Sequence, residues 1–317
     1  RRQRQMCIRD SCRTDIPAFY SEWLMNRIHE GYVLVRNPYY PEQVIKYRLD
    51  PSVVDGMDFC TKNPKPMLKY LDELDKFRQY WFVTITPYGK DIEPVVPDKE
   101  EVIESFKKLS EHVGENCVGW RYDPIFMNED FDVDKHIECF EKMAKQLNGY
   151  THNCTISFLD LYEKVKRNAP DLRQPTKDEQ IRIAKAFYKI GKKNNMVIYS
   201  CCENSYLAQY GLNCEGCRSQ SLVEKSLGVS LKPPKRKSLR QQCNCLIGND
   251  IGAYNTCGHM CKYCYANENK KLVVENMKKH DDNSPFLIGR LNKGDTVTEA
   301  NQKSWIVNRN EQISFWG

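Results

Sequence analysis

YWFVTITP, residues 80–87, is the stretch that decides the fold, because it predicts a buried strand that ends at a proline. Aromatic and β-branched residues follow one another in it without polar alternation, which is typical of a strand covered on both faces. Pro87 has no amide hydrogen and favours extended geometry in the residue before it, so the strand must stop there. Similar runs occur at 32–36, 53–59, 117–121, 154–160 and 196–202.

Helix signals separate these runs. Residues 97–114 place Asp98 three positions ahead of Glu101, and residues 176–191 place Thr176 three positions ahead of Glu179. Both are capping-box patterns or close variants. Strands that alternate with helices predict βαβ units and a parallel sheet. We therefore expect an α/β fold with a TIM-barrel-like parallel barrel, complete or partial, and a C-terminal cysteine-rich iron–sulfur extension.

Composition limits the class of protein. The 317 residues are 40% hydrophobic and include 15 cysteines, with a formal net charge of +6. This excludes a disordered chain, and no run approaches the roughly 18 apolar residues of a membrane span. The opening RRQRQMCIRDSC has no apolar segment of the kind that directs secretion. Cysteines in such number without an export signal favour a reducing compartment, so we expect a cytoplasmic protein without a membrane partner.

The character of the sequence changes along the chain. We expect residues 1–11 to be a non-native tail, because MCIRDS resembles a translated sequencing adapter, and a first strand to be lost with it. Residues 12–210 should form the barrel-like domain, 211–300 a cysteine-rich, cluster-binding extension packed on the barrel, and 301–317 a C-terminal tail. The segment PFLIGR (285–290) could be a last strand or an edge.

Polar residues collect where the predicted strands stop. Prolines at 38, 64, 87 and 124 close four of the runs, and the C-terminal edge of a parallel sheet or barrel is where ligands bind. Basic and amide groups there suit an anionic or carboxylate-bearing ligand, although helix capping explains any one of them as well. The candidate catalytic residues are Arg13, Asp15, Arg121, Asp123 and Tyr254; the candidate cofactor-binding residues are Arg36, Asn37, Lys62, Asn63 and Glu203. Thr86, Tyr88, Lys90 and Asp160 are also expected at this edge.

Three cysteines lie close together in CGHMCKYC, at Cys257, Cys261 and Cys264. Three thiolates can hold three irons of a [4Fe-4S] cluster and leave the fourth open to an exchangeable ligand. The alternative is a closed zinc site completed by His259 or another thiolate. We expect a metal site at these cysteines in either case, and the remaining alternative is three bare reduced thiols.

A second set of cysteines could converge elsewhere. Cys201, Cys217, Cys243 and Cys245 are candidates for a second iron–sulfur cluster or a zinc ion, with Cys202 and Cys214 as substitutes. Cys60, Cys117, Cys139 and Cys154 fall within strand or helix patterns and are explained as buried, inert thiols.

The C-x3-C-x-aromatic-C spacing, with Tyr263 before Cys264, resembles the motif of the radical S-adenosylmethionine (SAM) superfamily. The resemblance implies that SAM chelates the open iron, that Tyr263 lies by its adenine, and that one-electron reduction yields a 5′-deoxyadenosyl radical. Two departures stand against it: the cysteines follow most of the barrel instead of its first strand, and there is no glycine-glycine-glutamate stretch.

A wider resemblance covers residues 12 to 290. The segments CRTDIPAFYSEWLMNRI (12–28) and QQCNCLIGNDIGAYNTCGHMCKYCYAN (241–267) closely resemble the family called domain of unknown function 1848, as do VRNPYYPEQV, TKNPKPML, TPYGKDIEP, WRYDPI and ISFLDLY. The resemblance implies a radical-SAM-like iron–sulfur protein and says nothing of its substrate.

Together these observations favour a radical-SAM-type [4Fe-4S] enzyme acting on an unknown polar or anionic substrate, small or macromolecular, at the C-terminal mouth of the barrel. Its expected partner is an electron donor such as flavodoxin or ferredoxin. The alternatives are a non-radical iron–sulfur or zinc protein, or a nucleic-acid binding or repair factor that uses the basic stretch 232–240.

Overall fold

Ten strands and nine α-helices are present in this computed structural model, which describes residues 7–203, 205–233, 245–246 and 248–307. The strands are β1 (Cys7–Arg9), β2 (Tyr32–Arg36), β3 (Gln43–Arg48), β4 (Gly56–Thr61), β5 (Gln79–Thr84), β6 (Val118–Ile125), β7 (Asn153–Phe158), β8 (Val197–Ser200), β9 (Asn249–Asp250) and β10 (Thr296–Glu299). The helices are α1 (Ile16–Phe19), α2 (Ser21–Glu30), α3 (Leu71–Leu74), α4 (Lys99–Val113), α5 (Val133–Leu147), α6 (Glu163–Asn168), α7 (Lys177–Lys193), α8 (Gln220–Leu227) and α9 (Lys270–Lys278), with 3-10 helices at Lys65–Tyr70 and Ser205–Tyr210.

Seven strands form one parallel sheet in the order β8-β7-β6-β5-β4-β1-β9. The α/β prediction is therefore confirmed. Closure of the barrel is not found, because β8 and β9 are the two edges of this sheet within the described residues. Beside β8 the described residues form an isolated parallel bridge, in which the Ser200 amide donates to the Asn213 carbonyl over 2.9 Å.

A small sheet of order β10-β3-β2 corrects one prediction. The run at 32–36 is a strand, but it pairs antiparallel with β3 and does not enter the parallel sheet. Arg36 and Asn37 therefore follow a strand of the small sheet, away from the edge at which we expected them. PFLIGR is also not a strand: the Leu34 amide donates to the Pro285 carbonyl over 2.9 Å, and Phe286 packs on Leu34.

One predicted strand stop is wrong. β6 continues through Pro124 to Ile125, with a shift in its pairing to β7 between Tyr122 and Ile125. The bulge absorbs the ladder bond that proline cannot make. β4 ends at Thr61 and β5 at Thr84, each shortly before its proline, as expected.

The core lies between the main sheet and the helices that cover it. Trp81 and Trp120 are fully buried, and the rings of Phe140 on α5 and Phe187 on α7 stack at 3.7 Å between centroids. Burial of each such side chain contributes roughly 1.5–3 kcal/mol. This packing supports a rigid sheet whose C-terminal edge can hold side chains in fixed positions.

Helix caps agree in part with the predictions. Thr176 and Glu179 form the full capping box at the start of α7. Asp98 is the N-cap of α4, but its side chain does not cap the helix and lies 3.5 Å from Lys90. No helix in the described ranges is long and apolar enough to cross a membrane.

β1 lies in the segment 1–11 that we predict to be a non-native tail. Its backbone pairs with β4 and β9. Because a parallel ladder uses backbone groups that almost any sequence supplies, the pairing leaves that prediction standing.

Candidate functional site

The cysteine loop, residues 257–264, docks at the C-terminal edge of the main sheet. Its Lys262 amide donates to the Ile92 carbonyl over 3.0 Å, and the Val95 amide donates to the His259 carbonyl over 3.3 Å. Ile92 and Val95 belong to the connection between β5 and α4. The cysteine loop comes near the C-terminal end of the sequence. It nevertheless lies beside residues that follow β5, a strand from the first third of the chain.

Tight packing on α1 holds the start of the loop. A Cβ atom on Gly258 would lie only 2.7 Å from the ring of Phe19. The backbone of Met260 has a φ angle of 58°, a left-handed conformation that residues other than glycine rarely adopt. The two residues let the chain turn within the short interval between Cys257 and Cys261.

The three thiols of the loop are half-buried and are not all close to one another. Within the described residues, one group of three potential metal ligands has all its ligand atoms within 4.8 Å of one another. This group is the exposed set Asp72, Asp75 and His112, and not the loop cysteines. At least two of the sulfur atoms of Cys257, Cys261 and Cys264 therefore lie farther apart than 4.8 Å. Burial raises the pKa of Cys261 to about 12 and the pKa of Cys257 well above its usual value. Without a metal ion these two thiols stay protonated at neutral pH.

Glu93 is the centre of a buried charge network under the loop. Its carboxylate is 2.7 Å from the Lys62 ammonium and accepts a hydrogen bond from Thr86 over 2.8 Å. Lys99 and the phenol of Tyr263 also donate to it. Burial alone would raise the pKa of Glu93, but the two lysines lower it to about 2. Tyr263, the aromatic residue of the motif, is thus fixed to the ends of β4 and β5.

Asp15 connects the loop to the start of α1. Its side chain caps the helix by accepting from the Ala18 amide over 3.0 Å. The other carboxylate oxygen lies 2.8 Å from Nε2 of His259 and accepts from the Lys62 amide over 2.7 Å. Nδ1 of His259 is buried and makes no hydrogen bond. The bond to Asp15 holds the His259 ring, and with it the middle of the loop, against the start of α1.

Four candidate residues line a cavity of about 360 Å³ whose wall also includes Thr256, the residue before Cys257: Arg13, Arg36, Asn37 and Tyr254. Its volume falls within the usual range for small-molecule sites. Arg13 pairs with Asp250 at 3.0 Å and Arg36 pairs with Asp295 at 2.7 Å. The Arg13 guanidinium also lies 5.5 Å from the centre of the Tyr254 ring. The cavity offers paired charges and amide groups to a ligand.

The ends of β6, β7 and β8 hold a second polar group. Arg121 is paired with Asp123, which also accepts from Ser157. Glu203 accepts a hydrogen bond from the Phe158 amide over 2.7 Å. Burial raises the pKa of Glu203 to about 7, and the nearby carboxylates of Asp160 and Asp123 act in the same direction.

A row of thiols lies beside this group. Sγ of Cys217 is 3.4 Å from Sγ of Cys201 and 3.4 Å from Sγ of Cys245, and Cys202 is 3.9 Å from Cys201. Three of the four cysteines predicted to converge therefore do so, while Cys243 lies outside the described residues. Cys214 is turned away, because its sulfur accepts a hydrogen bond from Ser200 over 3.2 Å.

The other expected residues have structural roles. Asn63 accepts from the Lys65 amide over 3.3 Å before a 3-10 helix, and the phenol of Tyr88 donates to the Pro124 carbonyl over 2.6 Å. Lys90 is near Asp98, and Asp160 accepts from Tyr162 over 3.3 Å. Of the basic stretch 232–240, only Lys232 and Pro233 are among the described residues.

Sequence reasoning missed Glu93 and the role of His259. Glu93 lies in a loop instead of at a strand end, so the strand-stop rule did not include it. A signal was present: it belongs to TPYGKDIEP, one of the segments on which the family resemblance depends. The sequence suggests His259 only as a candidate zinc ligand, whereas its bond to Asp15 favours a role in orienting the loop.

Comparisons with known proteins give the family. Neither the curated proteins nor the solved structures contain a match to this chain. A family model, described as "Domain of unknown function (DUF1848)", matches residues 7–266, which include the cysteine loop, Glu93 and the thiol row. The chain therefore belongs to the DUF1848 family.

Proposed function

We propose that this protein is a radical-SAM-type enzyme that holds a [4Fe-4S] cluster on Cys257, Cys261 and Cys264. The observation that carries the proposal is the position of these three thiols, on one loop at the C-terminal edge of a parallel sheet. That edge is where enzymes of parallel α/β folds place their chemistry.

The donor set fits such a cluster. Three soft sulfur ligands that do not all lie within 4.8 Å of one another suit a group in which each cysteine binds its own iron. With Cys257, Cys261 and Cys264 as its protein ligands, such a cluster would keep one iron open and would supply one-electron reduction of bound SAM. The order of the strands also supports a barrel-like mouth, because β9 pairs with β1, as the last and first strands of a barrel do.

The chain's own residues would bind and orient the cofactors. Lys62 and Lys99 place two cations close to the cysteine loop, and they favour the negative charge that thiolate ligands bring. Tyr263 is fixed by Glu93 and packs against the rings of Tyr88 and Phe126, at 6.1 and 6.3 Å between centroids. This aromatic group excludes water from one side of the loop.

A polar substrate would enter the cavity lined by Arg13, Arg36, Asn37 and Tyr254. Each arginine already has an acidic partner, so the cavity is less suited to a free anion than the sequence suggests. A substrate that carries both hydrogen-bond donors and acceptors matches these paired charges better. The reducing electron would come from a small protein donor such as flavodoxin or ferredoxin.

Electron paramagnetic resonance tests the proposal. The protein is purified without oxygen, reconstituted with iron and sulfide, reduced with dithionite and measured with and without SAM. We expect a reduced-cluster signal whose g-values move when SAM is added. A cluster that is indifferent to SAM, or zinc in place of iron at these cysteines, would contradict the proposal and favour a non-radical metal protein.

The assignment of the ligands has its own test. We expect Cys261→Ala to lose the iron while the circular dichroism spectrum stays that of a folded chain, because the loop lies outside the core. Cys139→Ala is the matched control, since Cys139 is a half-buried thiol on α5. It should keep the iron. Global unfolding of Cys261→Ala would instead indicate a structural metal at the loop.

A further inference from the structure

The thiol row has a different geometry from the cysteine loop. Cys217 lies in the middle of the row, with Cys201 and Cys245 each at 3.4 Å from its sulfur atom. The thiol of Cys201 also interacts directly with the thiol of Cys245. All three pairs of these cysteines are therefore in contact, whereas the loop cysteines show no sulfur–sulfur contact in the described part of the chain.

The spacing identifies the kind of metal that fits. Two thiolates on one tetrahedral zinc ion lie about 3.8 Å apart, because each sulfur is about 2.3 Å from the ion. Cysteines that bind different irons of one cluster must lie farther apart, because each binds its own iron. The contacts among the three thiols of the row therefore match a single ion.

The surroundings suit a buried structural site. The row belongs to an apolar group that includes Tyr80, Phe82 and Leu222. The guanidinium of Arg121, which is paired with Asp123, is within electrostatic reach of Cys217 and Cys201 and so offsets part of the negative charge of a zinc–thiolate site. Thiolates in an apolar setting need such compensation.

The position of the row in the fold gives the ion a structural task. Cys201 directly follows β8, and Cys245 lies shortly before β9. β8 and β9 are the two edges of the main sheet. Cys217 comes from the segment between them, just before α8. An ion bound here would connect the two edges where the sheet is not closed.

We propose that Cys201, Cys217 and Cys245 bind one zinc ion, with Cys202 as the fourth thiolate, and that this ion ties the open edges of the sheet together. Cys202 is the fourth ligand because its sulfur lies 3.9 Å from Cys201, whereas Cys214 is bonded to Ser200. Each thiol gives up a proton as it binds zinc, so loading should release protons and depend on pH. The site is separate from the cysteine loop.

Metal analysis of the full chain separates this site from the proposed cluster. Zinc and iron per chain are measured after oxygen-free purification for the wild type, for a variant with serine at 257, 261 and 264, and for Cys217→Ser. We expect the triple variant to lose its iron but keep about one zinc per chain, and Cys217→Ser to lose the zinc but keep the iron. Residual cluster iron in the triple variant would overturn the choice of zinc, and zinc retained by Cys217→Ser would overturn the site.

Cobalt loading keeps the test valid if Cys217→Ser fails to fold. The wild type, Cys202→Ser and Cys214→Ser are stripped with a chelator and titrated with Co²⁺ without oxygen. We expect the wild type and Cys214→Ser to show equal thiolate-to-cobalt charge-transfer absorption and the intense visible bands of tetrahedral Co²⁺, and Cys202→Ser to show weaker ones. Loss of the bands in Cys214→Ser with retention in Cys202→Ser would overturn the ligand set.

Discussion

Nε2 of His259 lies 2.8 Å from Oδ2 of Asp15, so the middle of the cysteine loop is bonded to the residue that caps the first helix. Both side chains are buried. The same carboxylate accepts the Lys62 amide over 2.7 Å at the end of β4. Asp15 therefore joins three elements that are distant in sequence, and the position of the loop depends on it.

Asp15→Asn tests this dependence. Asparagine keeps one acceptor oxygen but loses the charge and puts an NH₂ group where a donor already points. We expect the free energy of unfolding to fall by about 1–3 kcal/mol, as for other buried hydrogen-bond losses, and the iron content to fall with it. Chemical denaturation and iron analysis measure the two effects.

Asp75→Asn is the control for that variant, because Asp75 pairs with His112 at 3.0 Å in an exposed position. It should change the free energy of unfolding by no more than about 0.5 kcal/mol and leave the iron unchanged. Equal effects of the two substitutions would contradict the role of Asp15.

Gly258→Ala tests the packing of the loop on α1. The added Cβ would lie 2.7 Å from the Phe19 ring and 3.2 Å from the side chain of Met277, so the loop or the ring must move. Such overpacking costs about 1–3 kcal/mol. We expect weaker iron retention in the variant. Phe19→Leu should restore part of the iron in the double variant by making room, and failure to do so would show that the contact is unimportant.

The strands of the main sheet were predictable because their apolar runs are continuous. The prediction for 80–86 differs from β5 (Gln79–Thr84) by one or two residues at each end. The run at 32–36 was also a strand, but its residues do not reveal whether its partner is parallel or antiparallel. Pairing is decided by β3, whose residues 43–48 mix polar and apolar side chains without regular alternation and give no strand signal.

The candidate site was predictable only where the spacing of cysteines along the sequence by itself indicates a metal-binding loop. The spacing of Cys257, Cys261 and Cys264 puts three thiols on one loop whatever the rest of the chain does. The convergence of Cys201, Cys217 and Cys245 depends on the path between β8 and β9, which no local pattern specifies. Glu93 illustrates the same limit, since its partners come from four separate segments.

Glu203 should make the stability of the fold depend on pH between about 4.5 and 7. Burial raises the pKa of its carboxyl from 4.5 to about 7, so the folded chain keeps a proton that the unfolded chain releases. The free energy of unfolding should therefore fall as the pH rises through this window, by about 3 kcal/mol at most. Glu203→Gln resembles the protonated form and should remove this part of the slope.

Urea denaturation of the metal-free chain at pH 5, 6, 7 and 8 measures the effect of Glu203. The exposed Glu111 provides the control, and Glu111→Gln should keep the slope of the wild type. If Glu203→Gln is no more stable relative to the wild type at pH 8 than at pH 5, the carboxyl is not held protonated.

Glu93 should act in the opposite direction and at lower pH. Burial would raise the pKa of Glu93, but the attraction of Lys62 and Lys99 for the carboxylate is larger. The pKa is therefore lowered to about 2 from a usual value of 4.5. Because the folded-state pKa is the lower one, the carboxylate stabilises the fold fully above about pH 4.5, and this stabilisation is lost as the pH falls towards 2. Glu93→Gln leaves two lysines without their partner, so we expect the free energy of unfolding to fall by about 3–5 kcal/mol at pH 7.

The difference between wild type and Glu93→Gln should shrink as the pH is lowered from 4.5 to 3, which denaturant titrations at several pH values measure. Glu101→Gln is the matched control, since Glu101 pairs with Lys65 at 3.4 Å but both side chains are more than half exposed. An exposed pair of this kind contributes at most about 1 kcal/mol. A difference for Glu93→Gln that is as small as the control's, or that does not change with pH, would show that the carboxylate does not anchor the lysines and Tyr263 under the cysteine loop.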